Sequence, residues 1–225
     1  MKVLIDQNIQ RRAITHTTIA RPKNVQWGGR EFETPGIIER VRIHPRPDET
    51  FIIEQLPYIA TIGELARQSK ISLWQSDELN WERFTQPGPN DGWCGFNLLF
   101  DVSLEWAPSP VDRLIAITGS KKTTVGLSKA EVNAFYKSIN IPRFKEIRQA
   151  FGDSHIDDAF HLWTAESSRL DAFTTLDQRF IRQANSCAKK INTSVAVLSP
   201  KQLCERLNSP PTDIDELAAR HPWWE

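Results

Sequence analysis

Short apolar runs alternate with longer amphipathic segments along most of the chain. The runs are residues 2–6, 71–74, 171–176 and 195–198. The first of them lacks polar alternation, which is typical of a strand buried on both faces of a sheet. We predict helices over 51–70, 128–140, 155–168, 177–190 and 200–208, and one more that begins at Ser76-Asp77. Ser128 is the expected cap of the second helix, and Pro142 follows its end. The alternation predicts an α/β fold with three α/β/α layers and a mostly parallel central sheet.

Segments rich in proline and glycine interrupt this pattern. Residues 20–50 predict an insertion, with hairpin character and an alternating edge strand over 37–43. Residues 85–127 predict a long loop, and 209–225 a polar tail that ends in Trp223-Trp224. We expect a single domain over residues 1–208 that includes the insertion and the long loop.

Composition narrows the function classes only slightly. The 225 residues contain 28 Lys and Arg against 28 Asp and Glu, so a polyanion would have to bind a local basic patch. Cys94, Cys187 and Cys204 lack zinc-ligand spacing, which favours reduced thiols. The N-terminus lacks a signal-type apolar region, and no apolar run approaches the roughly 20 residues of a membrane span. We therefore expect a cytoplasmic protein that does not bind membranes.

Acidic residues occur where the predicted strands and helices meet. Asp6 ends the first strand, Asp158 lies in the first turn of a helix, and Asp177 follows the strand 171–176. Open α/β sheets place their chemistry at the carboxyl ends of the strands. Carboxylates gathered there, without cysteine ligands or a glycine-rich phosphate loop, indicate a site for a hard divalent cation.

The order of these motifs resembles the PIN-domain nucleases, including the VapC-like toxins. The matching segments are Leu4-Ile5-Asp6-Gln7-Asn8, residues 158–165 with Asp158-Ala159 at their start, Thr175-Leu176-Asp177-Gln178-Arg179-Phe180, and the closing strand with Ser199-Pro200. The resemblance implies a PIN-like fold and a metal-dependent endoribonuclease that holds Mg²⁺ or Mn²⁺. It implies Asp6, Glu82, Asp158 and Asp177 as the metal-binding and catalytic acids.

The second acid of the pattern has competitors. The family places a glutamate six residues after a strand-terminal serine, and counting from Ser76 gives Glu82. Glu78 lies one turn earlier on the same helix face. Glu64 precedes the strand instead of following it.

Other polar residues receive supporting roles in this interpretation. Asn8 and Thr175 are candidates for orienting a carboxylate or a bound water. Substrate phosphates could meet basic residues near the strand ends, although a solvated charged face explains them equally well. These are Arg11, Arg12, Arg179, Arg182 and the pair Lys121-Lys122.

Simpler structural explanations apply to several of these residues. Asp177 has the position of a helix N-cap. Asp158 shares the first turn of a helix with Asp157, where the negative charge of either acid interacts favourably with the helix dipole. His161 lies one turn from both of these acids. It is expected to be a packing residue without a catalytic role, and contact with a substrate phosphate is the alternative.

Three function classes follow from the sequence. The first is a PIN-type ribonuclease acting on RNA, and the second is a PIN-like scaffold that binds RNA or a protein without cleavage. The third is the toxin of a toxin–antitoxin pair, with an antitoxin as its protein partner. The resemblance also implies that a homodimer is possible.

Overall fold

Each of the four apolar runs in the sequence overlaps a β-strand, and helices lie between these strands along the chain. The computed structural model describes residues 1–34, 36, 38–85, 96–111 and 129–220. The strands are β1 (Lys2–Ile5), β2 (Ile14–Ala20), β3 (Lys23–Trp27), β4 (Arg30–Thr34), β5 (Ile38–Arg42), β6 (Ser72–Ser76), β7 (Phe96–Asn97), β8 (Leu104–Ala107), β9 (Ala172–Thr174) and β10 (Ala196–Leu198). The α-helices are α1 (Gln7–Arg12), α2 (Thr50–Arg67), α3 (Asp77–Thr85), α4 (Lys129–Ser138), α5 (Pro142–Phe151), α6 (Ile156–Ser167), α7 (Gln178–Ile191), α8 (Pro200–Arg206) and α9 (Ile214–Arg220).

The central sheet is parallel throughout. Its strand order is β10-β9-β1-β6-β8, with β1 in the middle. Val3 of β1 lies opposite Ala172 of β9 on one side and Leu73 of β6 on the other. The predicted α/β class with a mostly parallel central sheet is confirmed.

Helices cover both faces of this sheet. Leu4 points into a core that includes Phe160 of α6 and the aromatic residues of α5 and α7. Its neighbours Val3 and Ile5 point the other way, into a core with Ile62 of α2 and Leu203 of α8. Successive side chains of a strand point to opposite faces. The helices that line these two cores therefore form the outer layers of the predicted α/β/α arrangement.

The predicted insertion consists of antiparallel strands. β2 pairs with β5 and with β7, while β3 and β4 form a separate two-stranded sheet. β5 corresponds to the edge strand predicted over 37–43. The sequence pattern did not predict β2, which begins at Ile14 directly after α1.

The prediction of one long loop over residues 85–127 was wrong in part, and one helix was not predicted. Residues 85–127 contain β7 and β8, and β8 adds to the central sheet beside β6. β8 was missed because it is an edge strand with two of its four residues exposed, so it lacks the apolar run of a buried strand. Pro142 follows the end of α4, as expected, and it is also the first residue of the helix that was not predicted, α5. Proline favours this first helical position.

The C-terminal segment also contains a helix. Ile214, Leu217 and Ala218 of α9 are buried with Ile59 of α2, within the segment predicted as a polar tail. Trp223-Trp224 lies outside the described residues, as do Cys94, Lys121-Lys122 and the predicted helix cap Ser128. Cys187 and Cys204 are free thiols.

Of the helices that the structure describes, none combines the length and the apolar character needed to cross a membrane.

Gly63 provides a test of how α2 packs against the segment after β7. A methyl group at this position would lie 2.3 Å from the carbonyl oxygen of Leu98. Glycine to alanine in a helix interior normally stabilises by about 1 kcal/mol. We expect Gly63→Ala instead to lower the free energy of unfolding by about 1 to 2 kcal/mol, because the backbone must shift.

Urea denaturation measures this change. Ile53→Ala, at an exposed position of the same helix, is the control and should stay within about 0.5 kcal/mol of wild type. A Gly63→Ala protein more stable than wild type would contradict the packing described.

Candidate active site

The carboxyl ends of three neighbouring strands meet at one edge of the central sheet. β1 lies between β9 and β6, and all three run in the same direction. Asp6 follows β1, Ser76 ends β6, and Thr175 follows β9. The backbone N–H of Asp6 donates to the carbonyl of Thr174 at 2.9 Å, which joins the first acid directly to β9. Side chains from distant parts of the sequence therefore share this edge.

Asp6 is the most buried of the predicted acids, with 8% of its surface exposed. Its Oδ2 accepts hydrogen bonds from Thr175 Oγ1 at 2.5 Å and from Asn8 Nδ2 at 2.6 Å. Asn8 Oδ1 in turn accepts from the backbone N–H of Leu176 at 3.1 Å. The two polar residues predicted to support the acids thus hold the Asp6 carboxylate in one orientation, leaving its Oδ1 as the oxygen that could meet a ligand.

The pKa of Asp6 rises to about 6. Burial is the main cause, and the hydrogen bond from Thr175 opposes it. The negative charges of Glu82 and Asp158 raise the pKa further. Asp6 is therefore close enough to both acids to be repelled by them.

Asp177 caps α7. Its Oδ1 accepts from the backbone N–H groups of Arg179 at 2.8 Å and Phe180 at 3.0 Å. Its own N–H donates to Thr175 Oγ1 at 3.0 Å. Asp177 is therefore the N-cap that the simpler explanation predicts. Its N–H also connects it to Thr175, which donates a hydrogen bond to Asp6.

Asp158 lies in the first turn of α6, about a quarter exposed. Its Oδ2 is 3.2 Å from Nδ1 of His155. Burial raises the pKa of Asp158, the charges of His161 and His155 oppose this, and the charge of Asp177 adds to it. Asp158 therefore lies within electrostatic reach of both Asp6 and Asp177.

Glu82 meets this group through a buried histidine. His161 Nε2 of α6 is 3.0 Å from Glu82 Oε1 of α3. Burial opposes the charged imidazole, but the Glu82 hydrogen bond and the charges of Glu82, Asp6 and Asp158 prevail and raise the pKa of His161 to about 9. The site thus contains one internal cation among its acids at neutral pH.

His161 has a larger part in the site than the sequence predicted. Its burial and its edge-on contacts with Phe160 and Phe173 fit the predicted packing role. Its position one turn from Asp158 was evident from the sequence, but its contact with Glu82, 79 residues away, was not.

The other candidates for the second acid lie in different contacts. Glu78 Oε1 accepts a hydrogen bond from Ser109 at 3.0 Å, beyond β8. Glu64 pairs with Arg67 at 2.9 Å on α2. Of the three glutamates, Glu82 is the one that the structure brings to Asp6.

The predicted phosphate-binding arginines are not equivalent. Arg12 forms a two-pronged ion pair with Glu49, and this contact lowers the pKa of the Glu49 carboxyl. Arg179 and Arg182 project from the first two turns of α7, which begins at Asp177. Arg11 lies in the last turn of α1 and has contacts of its own. Arg179 and Arg182 are thus better placed to meet a substrate than Arg12.

The acids do not form a ready-made metal cage. Among the residues that the structure describes, no three His, Cys, Asp or Glu side chains are grouped closely enough to hold a metal ion. Each acid carries a hydrogen bond from the protein, and Glu82 shares an oxygen with His161. Comparisons with known proteins find no matching family model, curated protein or solved structure. The PIN-domain resemblance therefore remains a prediction.

The charges of the site predict how stability depends on pH in the absence of metal. The pKa of Asp6 rises from 3.8 to about 6 on folding, so stability falls as pH rises between these values. The pKa of His161 rises from 6.5 to about 9, so its contribution is complete below pH 6.5 and is lost as pH approaches 9. Both titrations act in the same direction. We expect these two groups to lower the melting temperature in EDTA as pH rises from about 4 to 6 and again from about 6.5 to 9.

Two substitutions separate the contributions. Asp6→Asn keeps an oxygen acceptor for Thr175 and should stabilise the metal-free protein by about 1 to 3 kcal/mol at pH 8, because it removes a buried negative charge. His161→Gln should flatten the profile above pH 6.5. Thermal melts across the pH range measure both effects, and an Asp6→Asn protein less stable than wild type would contradict the electrostatic account.

Proposed function

We propose that this protein is a metal-dependent endoribonuclease of the PIN type. The observation that carries the proposal is the meeting of Asp6, Glu82, Asp158 and Asp177 at the carboxyl edge of a parallel sheet. The raised pKa values of Asp6 and Asp158 reflect burial and the repulsion of neighbouring acids. Acids held together against this cost are typical of functional sites, and a cation would relieve the repulsion.

The donor set fits Mg²⁺ or Mn²⁺. Carboxylate oxygens are the ligands that these ions prefer, and Mg²⁺ commonly uses one or two protein carboxylates while keeping several waters. A cage of three side chains in direct contact is therefore not required. Asp6 Oδ1 and the carboxylates of Asp158 and Asp177 are the groups that would hold the ion. When bound, the ion supplies an activated water and offsets negative charge on the phosphodiester.

The protein itself contributes orientation and charge. Thr175 and Asn8 fix the Asp6 carboxylate, and the helix cap at Asp177 fixes the start of α7. Arg179 and Arg182 follow that cap and supply positive charge for the phosphates of RNA. His161 holds Glu82 from the buried side.

A second function is favoured by one contact. The His161–Glu82 pair provides the positive charge that the acids need, so the site can be stable without metal. This supports the alternative of a PIN-like scaffold that binds RNA or a protein without cleavage. Calorimetric titration with Mn²⁺ separates the two functions, since the nuclease requires binding and the scaffold does not.

Isosteric variants of two acids test the nuclease directly. Asp158→Asn and Asp177→Asn should each reduce Mn²⁺-dependent cleavage of RNA by about a hundredfold or more, because each removes a candidate ligand charge. Asparagine is also a good N-cap, so the 177 variant should keep its fold. Gel electrophoresis of labelled RNA, with and without EDTA, measures the cleavage.

Asp157→Asn is the matched control for these variants. Asp157 neighbours Asp158 on α6 but points about 100° away around the helix. It should retain wild-type cleavage. Unchanged cleavage by the Asp158→Asn protein would contradict the proposed nuclease function.

The second acid has a matched pair of its own. Glu82→Gln should reduce cleavage by about a hundredfold, because it removes the charge that acts on Asp6 and on His161. Glu78→Gln, one turn earlier on α3, should stay within about threefold of wild type, since Glu78 is held by Ser109. The reverse order of effects would assign the role to Glu78.

A further inference from the structure

The β3–β4 hairpin extends the insertion with side chains that the rest of the protein does not cover. The chain turns at Gly28-Gly29, where φ is 58° and 75°, as the tight two-residue hairpin turn requires. Every residue from Lys23 to Glu33 is exposed. Such a hairpin buries little surface of its own, so the choice of its side chains is not explained by packing.

The strand register divides these side chains between two faces. Val25 lies opposite Phe32, and Trp27 lies opposite Arg30. Directly opposed residues share a face, and successive residues alternate. The aromatic face therefore carries Lys23, Val25, Trp27, Arg30, Phe32 and Thr34, and the acidic face carries Asn24, Gln26, Glu31 and Glu33.

Apolar surface on the aromatic face is extensive. Trp27 is 78% exposed, Phe32 49% and Val25 38%. Contiguous exposed apolar side chains usually mark an interaction site. The two aromatic rings occupy neighbouring cross-strand pairs, at the spacing from which long side chains can act together.

Charge on the hairpin is sorted by face. Lys23 and Arg30 share the aromatic face, whereas Glu31 and Glu33 point away from it. Among the described residues, neither cation has an ion-pair partner. An anionic ligand on this face would therefore meet two available cations and no acid.

We propose that the aromatic face of the β3–β4 hairpin binds single-stranded RNA. Unpaired bases stack on Trp27 and Phe32, while phosphates pair with Lys23 and Arg30. Aromatic rings interleaved with cations are typical of single-strand binding surfaces, and a duplex would not offer its bases for stacking. The choice of RNA over DNA rests on the proposed function, but the binding surface itself does not.

Fluorescence anisotropy with a labelled single-stranded RNA of about 12 nucleotides tests the inference. The full chain is used in EDTA, so that binding is measured without cleavage. Trp27→Ala and Phe32→Ala should each weaken binding about tenfold, and Trp27→Phe should stay within about threefold of wild type. Trp27 is largely exposed, so its substitution should leave the melting temperature unchanged.

Charge variants provide an independent readout. Lys23→Gln combined with Arg30→Gln should reduce the dependence of log affinity on log salt by about 1.4, because single strands lose about 0.7 per neutralised phosphate. Gln26→Ala and Glu31→Gln, on the acidic face of the same strands, are the matched controls. They should bind as tightly as wild type or more tightly.

Three results would overturn the inference. They are equal affinity for Trp27→Ala and wild type, equal binding of a duplex of the same sequence, and a Trp27→Ala effect confined to self-association in sedimentation. The last result would assign the face to a second copy of the chain. Hairpin-dependent binding without Mn²⁺-dependent cleavage would contradict the nuclease alone, while cleavage with hairpin-independent binding would contradict the hairpin alone.

Discussion

The buried carboxylate of Asp6 is the constraint on which the candidate site depends. The hydrogen bond that it accepts from Thr175 forms only while β1 and β9 keep their parallel register, and the local Asn8 side chain donates a second one. A buried carboxylate is costly unless hydrogen bonds and opposite charges offset its desolvation. Thr175 supplies the hydrogen bond and His161 the charge. The same few residues therefore determine both the packing of the sheet and the electrostatics of its edge.

His161 shows how that solution limits the possible functions. An imidazolium among acids lowers their mutual repulsion, so the fold tolerates them without an ion. A divalent cation at the same edge would compete with the imidazolium for the same negative charge. The nuclease and the scaffold thus differ in which positive charge the acids keep. The arrangement of the acids is the same for both functions, so the affinity for metal distinguishes the nuclease from the scaffold.

The elements whose signals are local were predictable from the sequence. Asp6 and Asp177 follow short strands that are mostly apolar, so their positions at the sheet edge were predictable from the local pattern. β8 and α5 were missed because the first is a half-exposed edge strand and the second begins with a proline that was interpreted as a helix end. His161 was underestimated for a different reason. Its charge depends on Glu82, 79 residues away in the sequence, and no local pattern records that contact.

The hairpin and the acids are joined by one continuous piece of chain. Asp6 leads into α1, whose Ile9 is buried in a third core with Ala13 and Phe96. Leu98 closes this core by donating its backbone N–H to the carbonyl of Ala13 at 2.8 Å. β2 starts at Ile14, the residue after Ala13, and leads to β3 and β4. The core that positions α1 therefore also fixes the start of β2, which pairs with β5 and β7. The β3–β4 hairpin follows β2, and its exposed side chains are covered by nothing else in the described chain.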